Sequence, residues 1–312
     1  MKIVITDSGF ANINPEAATM ASAGIELVST QCKTVDDVIR AVADADGILV
    51  QWAPITAAVI HSLSKCKVIV RYGIGVDNVD LAAARQKGIP VCNVPDYCID
   101  EVADHTVALA LAQARQLVQI DARTRGGVWK IHPDKPMPAF RDMIFATAGY
   151  GRIARAVLDR ARAFGFQLAA YDPYATPGLD GVTSLSLDEL FQKADVLSLH
   201  APLSAETKHL VNAERLGQMK ATAIVVNTAR GALIDTVALA RALEQGTIAA
   251  AALDVFESEP LPHDHPLRNC SNALLTSHLA WFSESSVPKL QRLAAEEAVR
   301  GVRGEALKNQ VN

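Results

Sequence analysis

A chain of 312 residues is longer than one hydrophobic core usually serves, so two domains are expected. Half of the residues are hydrophobic and 21% are charged, the balance of a globular protein and not of a disordered or fibrous one. A formal net charge of −4 offers no positive field, so neither nucleic acid nor anionic lipid is expected as a partner.

The N-terminus, MKIVITDSGF, has one lysine and a very short apolar run ahead of Asp7. It reads as a first strand and not as a signal peptide. No apolar run approaches the roughly 18 residues that span a bilayer, so no membrane association is expected. The five cysteines (Cys32, Cys66, Cys92, Cys98, Cys270) are scattered without a C-x-x-C pair. Reduced thiols in a cytoplasmic protein, with no metal site, are the expectation.

KIVIT, GIELV, GILV, KVIV and IPVCNV read as five strands in the first hundred residues, with helical segments between them. From Ile99 the positions Ala103, Val107, Ala110, Ala114 and Leu117 keep helical spacing. This predicts one long helix from 98 to about 123, ended by Gly126 and Gly127. The Pro-rich IHPDKPMPAF follows and cannot be regular. MIFATA, QLAAYD, DVLSLH, AIVVNT, AAALDV and ALLTS then predict a six-stranded unit, and a last helix spans 284–303. The fold class is α/β. Two doubly wound parallel-sheet domains are expected, a flavodoxin-like one and a Rossmann one, with a cleft between them. The boundaries place residues 1–97 and 284–312 in the first domain and 98–283 in the second.

Gly149-Tyr150-Gly151-Arg152-Ile153-Ala154 fits G-x-G-x-x-G/A. The first glycine permits a tight turn, the second admits a pyrophosphate, and alanine is small enough for the third position. Alone such a match is weak. Here a strand precedes it, a helical stripe follows (Ile153, Val157, Phe164), and a second strand ends in Asp172. That acid lies 23 residues after Gly149, near the spacing expected of a ribose-binding carboxylate. The order predicts a dinucleotide, with NAD preferred over NADP because a carboxylate repels a 2′-phosphate.

Three further strands are each followed by a charged or titratable residue: Arg230, then Glu259 with Asp254 before it, then His278. Ligands of open α/β sheets bind beyond the carboxyl ends of strands, so these should converge. Reduction of a 2-oxo acid needs a cation for the carboxylate and an acid for the nascent alkoxide. Arg230 offers a fork of donors and His278 a proton near neutral pH, with Glu259 to orient the imidazole. His200 is read as a support for its strand end.

With RYGIGVDNVD, CNVPDYCIDEVADHT and HLAWFSE in order, the chain resembles the D-isomer-specific 2-hydroxyacid dehydrogenases, over roughly residues 68–285. Within that family it looks closest to the C-terminal-binding-protein and phosphoglycerate dehydrogenase-like branch. The resemblance implies Arg230, Glu259 and His278 as the catalytic residues. It implies that Gly149, Tyr150, Gly151, Arg152, Ile153, Asp172, Ala201, Thr228, Ala229, Arg230, Asp254 and His278 through Ala280 and Trp281 line NAD. Asp254 would hold the nicotinamide carboxamide. Arg71, Tyr72, Gly73, Ile74 and Gly75 would offer backbone amides to the substrate carboxylate, and a homodimer is implied.

Departures stand out against that resemblance. The strand before the glycine turn is IFATAG, smaller and more polar than the usual TLGIIG-like run, and Asp142 stands where glycine is common. Where phosphoglycerate dehydrogenases commonly carry an arginine, this chain has Gln51 and Trp52, which suit an uncharged tail better than a phosphate. Rival expectations are an NAD(H)-sensing binding protein and an enzyme acting on another small anion, such as formate or phosphite.

Overall fold

The computed structural model describes residues 1–133, 135–175 and 181–312. The chain divides into two compact units, Met1–Cys98 with Phe282–Asn312, and Ile99–Trp281. Among the described residues no helix is long and apolar enough to cross a membrane.

The first unit is built on strands β1 (Lys2–Ile5), β2 (Glu26–Ser29), β3 (Gly47–Val50), β4 (Val68–Arg71) and β5 (Val91–Cys92), the five expected. All pair in parallel in the order β2-β1-β3-β4-β5, the flavodoxin-like arrangement. Helices α1 (Asn14–Ala23), α2 (Val35–Val42), α3 (Ala57–Ser62) and α4 (Leu81–Gln86) connect them. Two of these starts are written in the sequence. Thr34 and Asp37 form a capping box at α2, and the Asp80 carboxylate accepts from the Ala83 amide at α4.

The second unit begins with α5 (Ile99–Ala114) and α6 (Leu117–Arg125), not with one long helix. Gln116, at φ 52°, breaks it. The apolar spacing runs on across the break, so periodicity carries no sign of it. Then follow β6 (Ile144–Ala148), α7 (Arg152–Ala163), β7 (Gln167–Tyr171), β8 (Val182–Ser184), α8 (Leu187–Lys193), β9 (Val196–Leu199), α9 (Ala213–Gln218), β10 (Ile224–Asn227), α10 (Thr236–Glu244), β11 (Ala250–Leu253) and β12 (Ala273–Leu275).

The sheet has seven parallel strands in the order β12-β11-β10-β9-β6-β7-β8, where six were expected. The missed strand, β8, has three residues, too few to show an alternating pattern. Six of the seven follow the Rossmann order, and β12 extends the sheet. Alternate residues feed two cores: Leu197, Leu199 and Val225 face one, and Val196, Ile224 and Val226 the other.

The small residues of β6 find a simple packing reason. Ala146 and Ala148 share a core with the bulky Leu190 and Phe191 of α8. Thr147 faces the other side, fully buried, and its hydroxyl finds no hydrogen-bond partner among the described residues. Asp142 lies in a short 3-10 turn, Phe140–Asp142, and needs no left-handed backbone.

The last helix, α11 (Ser286–Arg303), returns to the first unit and packs on α1, β3 and β4. A Cβ placed on Gly301 would lie 2.4 Å from the Val68 Cβ, so only glycine allows this approach. In an exposed helix Gly→Ala gains about 1 kcal/mol. Here overpacking costs about 1–3 kcal/mol and reverses the sign. Thermal unfolding of Gly301→Ala should therefore start at a lower temperature than wild type; an equal or higher Tm would refute this packing.

Candidate active site

The register of three neighbouring strands sets the site. Asn227 of β10 pairs with Leu253 of β11, which pairs with Leu275 of β12. The three strands therefore end level. Arg230 and His278 each stand three residues beyond this line, and Asp254 stands one beyond it. Parallel pairing thus delivers all three loops to one sheet edge.

Asp254 organises the last loop. Its carboxylate, 1% exposed, accepts from the Thr276 hydroxyl at 2.6 Å and from the Leu279 and Ala280 amides at 3.1 and 2.9 Å. Its carbonyl accepts from the His278 amide at 2.7 Å. A buried carboxylate without donors would be costly, so the loop must fold around it. The Trp281 indole N–H closes the turn on the His278 carbonyl at 2.8 Å. His278 itself is held at φ 55°, uncommon outside glycine.

This geometry sets the His278 Nδ1 2.6 Å from Glu259 Oε2. An ionised carboxylate only accepts, so Nδ1 carries the proton and Nε2 is left to exchange one. The other Glu259 oxygen accepts from the Phe256 amide at 2.9 Å. Burial alone pushes the Glu259 carboxyl up. The His278 bond, the Phe256 amide and the charges of His278 and Arg230 outweigh burial and hold it below its ordinary range.

Arg230 shares that electrostatic environment. Its Nη1 donates to the Ala229 carbonyl at 2.6 Å, and its carbonyl accepts from the Asn227 side-chain amide at 2.8 Å. Asn227 also accepts from the Ala229 amide at 3.0 Å. Next door, a Cβ on Gly231 would lie 1.9 Å from the Phe256 carbonyl carbon. Glycine is required there for the Arg230 and Glu259 loops to touch.

The glycine turn follows β6 directly. Gly149 adopts φ 103°, and a Cβ there would strike the His200 carbonyl at 2.8 Å. At Gly151 the same test meets nothing within 4 Å. The N-cap residue of α7 is Gly151, which has no side chain to cap the helix, the arrangement in which a helix start can receive an anion. The Asp172 carboxylate, at the end of β7, accepts from the Tyr150 amide at 2.7 Å and from the Tyr174 and Ala175 amides at 2.8 and 3.1 Å. Asp172 therefore also braces the turn itself. These features fit a dinucleotide.

Around that turn, the Tyr150 ring is buried beneath the Arg155 guanidinium, 4.7 Å away, so Tyr150 offers only its backbone. Arg152 is exposed at the start of α7, and Ile153 is half-buried against the core. The Thr228 hydroxyl bonds the Thr106 hydroxyl at 2.7 Å. His200 keeps some exposed surface, but burial of its imidazole pushes it down to about 4, and Nε2 meets the Ser198 hydroxyl at 2.8 Å. Ala201 follows it, half-buried.

In the first unit two expected contact residues face inward. The Gln51 side chain is 4% exposed, because its oxygen accepts from the Gly9 amide at 2.9 Å. Tyr72 is 1% exposed; its amide donates to the Val50 carbonyl and its hydroxyl to Glu16 at 2.8 Å. Neither side chain is a surface for substrate. Trp52, by contrast, is 58% exposed, with its ring against Gly9 and its amide donating to Asp7 at 2.6 Å. Gly73 adopts φ 133°, with the Arg71 guanidinium lying against it. Among the described residues no partner is found for the amides of Gly73, Ile74 and Gly75, whereas the Gly73 and Ile74 carbonyls are taken by Val94 and Asn93.

The chain is similar to several known proteins. The family model for the D-isomer specific 2-hydroxyacid dehydrogenase NAD binding domain matches residues 107–280. A glyoxylate reductase of Korarchaeum cryptofilum is 38% identical over 282 residues, covering 88% of this chain and 85% of that protein. A D-3-phosphoglycerate dehydrogenase of Methanocaldococcus jannaschii is 37% identical over the whole of this chain, which spans 59% of that longer protein. The structure of a D-lactate dehydrogenase with NAD+ from Lactobacillus jensenii covers the whole chain with a TM-score of 0.81 at 28% identity. The chain belongs to the D-isomer specific 2-hydroxyacid dehydrogenase family, a family of NAD-dependent oxidoreductases.

Proposed function

We propose that this chain is an NAD-dependent D-2-hydroxyacid dehydrogenase that interconverts a small 2-oxo acid and its 2-hydroxy acid. The observation that carries this reading is the 2.6 Å contact between His278 Nδ1 and Glu259 Oε2, in the field of Arg230. Bound nicotinamide supplies and accepts the electron pair. The chain's residues do the rest. His278 Nε2 gives a proton to the C2 oxygen during reduction and takes one back during oxidation. Glu259 fixes the ring and offsets the imidazolium charge. Arg230 binds the substrate carboxylate with its fork of donors.

In this reading residues 98–283 bind the cofactor, and residues 1–97 with 284–312 select the substrate. The amides of Gly73, Ile74 and Gly75 receive the carboxylate. Trp52 favours an uncharged or apolar tail over a phosphate. The Asp172 carboxylate braces the turn through the Tyr150 amide and its charge disfavours a 2′-phosphate, which supports NAD over NADP.

The second unit's surface supports a homodimer. Helix α6 buries none of its residues. Leu117, Val128, Trp129 and Ile131 are exposed by 54, 52, 85 and 84%. Exposed apolar side chains of this kind, on α6 and the segment after it, suit a second copy of the same chain, since a two-fold interface needs one self-complementary surface.

Turnover of His278→Ala should fall by about 10²- to 10⁴-fold, the usual worth of a general acid, while NADH binding persists. Full turnover in that variant would sink the assignment. In sedimentation, wild type should run as a dimer and Trp129→Glu with Ile131→Glu as a monomer. An unchanged mass for the double variant would remove this surface from the interface.

A further inference from the structure

The segment that presents Glu259 carries a second glutamate, Glu257, and it too meets a histidine. His209 Nε2 lies 2.6 Å from Glu257 Oε1. The other oxygen accepts from both the amide and the hydroxyl of Thr236, the amide at 3.0 Å. Thr236 is the first residue of α10 and is 3% exposed. Behind it, His265 Nε2 lies 3.2 Å from the same hydroxyl. His265 Nδ1 accepts from the Leu267 amide, so a neutral ring carries its proton on Nε2 and aims it at Thr236. Every donor in this chain of contacts leads to Glu257. Burial pushes the Glu257 carboxyl up, but the Thr236 and His209 bonds outweigh it and hold it below its ordinary range.

Two backbone contacts close the frame. The His209 amide donates to the Ala232 carbonyl at 2.8 Å. A Cβ on Gly231 would lie 2.5 Å from the Glu257 nitrogen as well as against Phe256. The Phe256–Glu257 peptide therefore lies flat on the residue next to Arg230. The Phe256 amide in turn donates to Glu259. Among the described residues Gln116, His209 and His278 are the non-glycine positions with left-handed backbone. Two of these three are the histidines paired with Glu257 and Glu259. Such backbone persists only where surrounding contacts over-determine it.

We propose that Glu257 is a positioning residue: clamped by His209 and Thr236, it seats loop 256–259 on Gly231 and so fixes Arg230 relative to the Glu259–His278 pair. This rests on the catalytic reading above. Glu257 transfers no proton in it. Its role is to keep two loops in register, so that the group binding the carboxylate and the group protonating the carbonyl stay a fixed distance apart.

Glu257→Gln keeps the shape but must turn an NH2 toward either His209 or the Thr236 donors, and so breaks one side of the clamp. His209→Asn tolerates left-handed backbone yet is too short to reach Glu257. In both variants kcat should fall by about 10- to 100-fold, the cost of a small misplacement, and KM for the 2-oxo acid should rise. The NADH Kd should change far less than kcat, because the dinucleotide turn itself is built from β6 and β7. The low-field proton resonance of His278 Nδ1 should shift or vanish. Wild-type kcat and KM with an unmoved resonance would overturn the proposal. So would a lowered Tm with unchanged kinetics, which marks a merely structural bond. If the wild-type protein reduces no 2-oxo acid, the catalytic reading falls and the resonance alone decides: displacement supports the clamp, and constancy refutes it.

Discussion

The parallel register of β10, β11 and β12 is the constraint on which the site depends. Because Asn227, Leu253 and Leu275 lie side by side, residues at small fixed offsets from them emerge together. Arg230, Asp254 and His278 are far apart in sequence but share one sheet edge. A slip of one residue in any of these strands would turn the strand's side chains to the opposite face. In β10, Val225 packs in one core and Ile224 and Val226 in the other, so a slip there would exchange their places.

Register alone brings loops near one another without fixing their side chains. That is done by two carboxylates and one glycine. Asp254, fully buried, gathers the Thr276 hydroxyl and the amides of Leu279 and Ala280, which forces the loop to curl and turns His278 outward. Glu259 then meets the imidazole, with its other oxygen tied to its own loop at Phe256. Gly231 lets the Arg230 loop lie against the same peptide segment. The dinucleotide turn uses the same economy: Gly149 admits the His200 carbonyl, and Asp172 ties the Tyr150 amide.

Much of this was legible in the sequence, and the reasons differ by residue. The strands of both sheets show as short apolar runs because parallel strands are buried on both faces. Gly149, Gly151, Asp172, Arg230, Glu259 and His278 are legible because their chemistry is tied to a position after a strand. The break at Gln116 was not legible, because Ala110, Ala114 and Leu117 keep helical spacing through it. Strand β8 was too short to show a period. Gln51 and Tyr72 read as contact residues through the family resemblance, not through any local pattern of their own. Their burial depends on Gly9 and Glu16, partners that no local pattern announces. Asp254 reads as a cofactor ligand, and its work in shaping the His278 loop appears only with its donors in place. Nothing in the spacing of Glu257, His209 and Thr236 marks them as neighbours.

The most direct measurement mixes the purified protein with NADH and, separately, with glyoxylate, an apolar-tailed 2-oxo acid and a phosphate-tailed one. The nicotinamide absorbance is then followed. NADH should be consumed with the uncharged 2-oxo acids, and faster than with the phosphorylated one. Tight binding of NADH with no oxidation by any 2-oxo acid would contradict the role given to Arg230, Glu259 and His278.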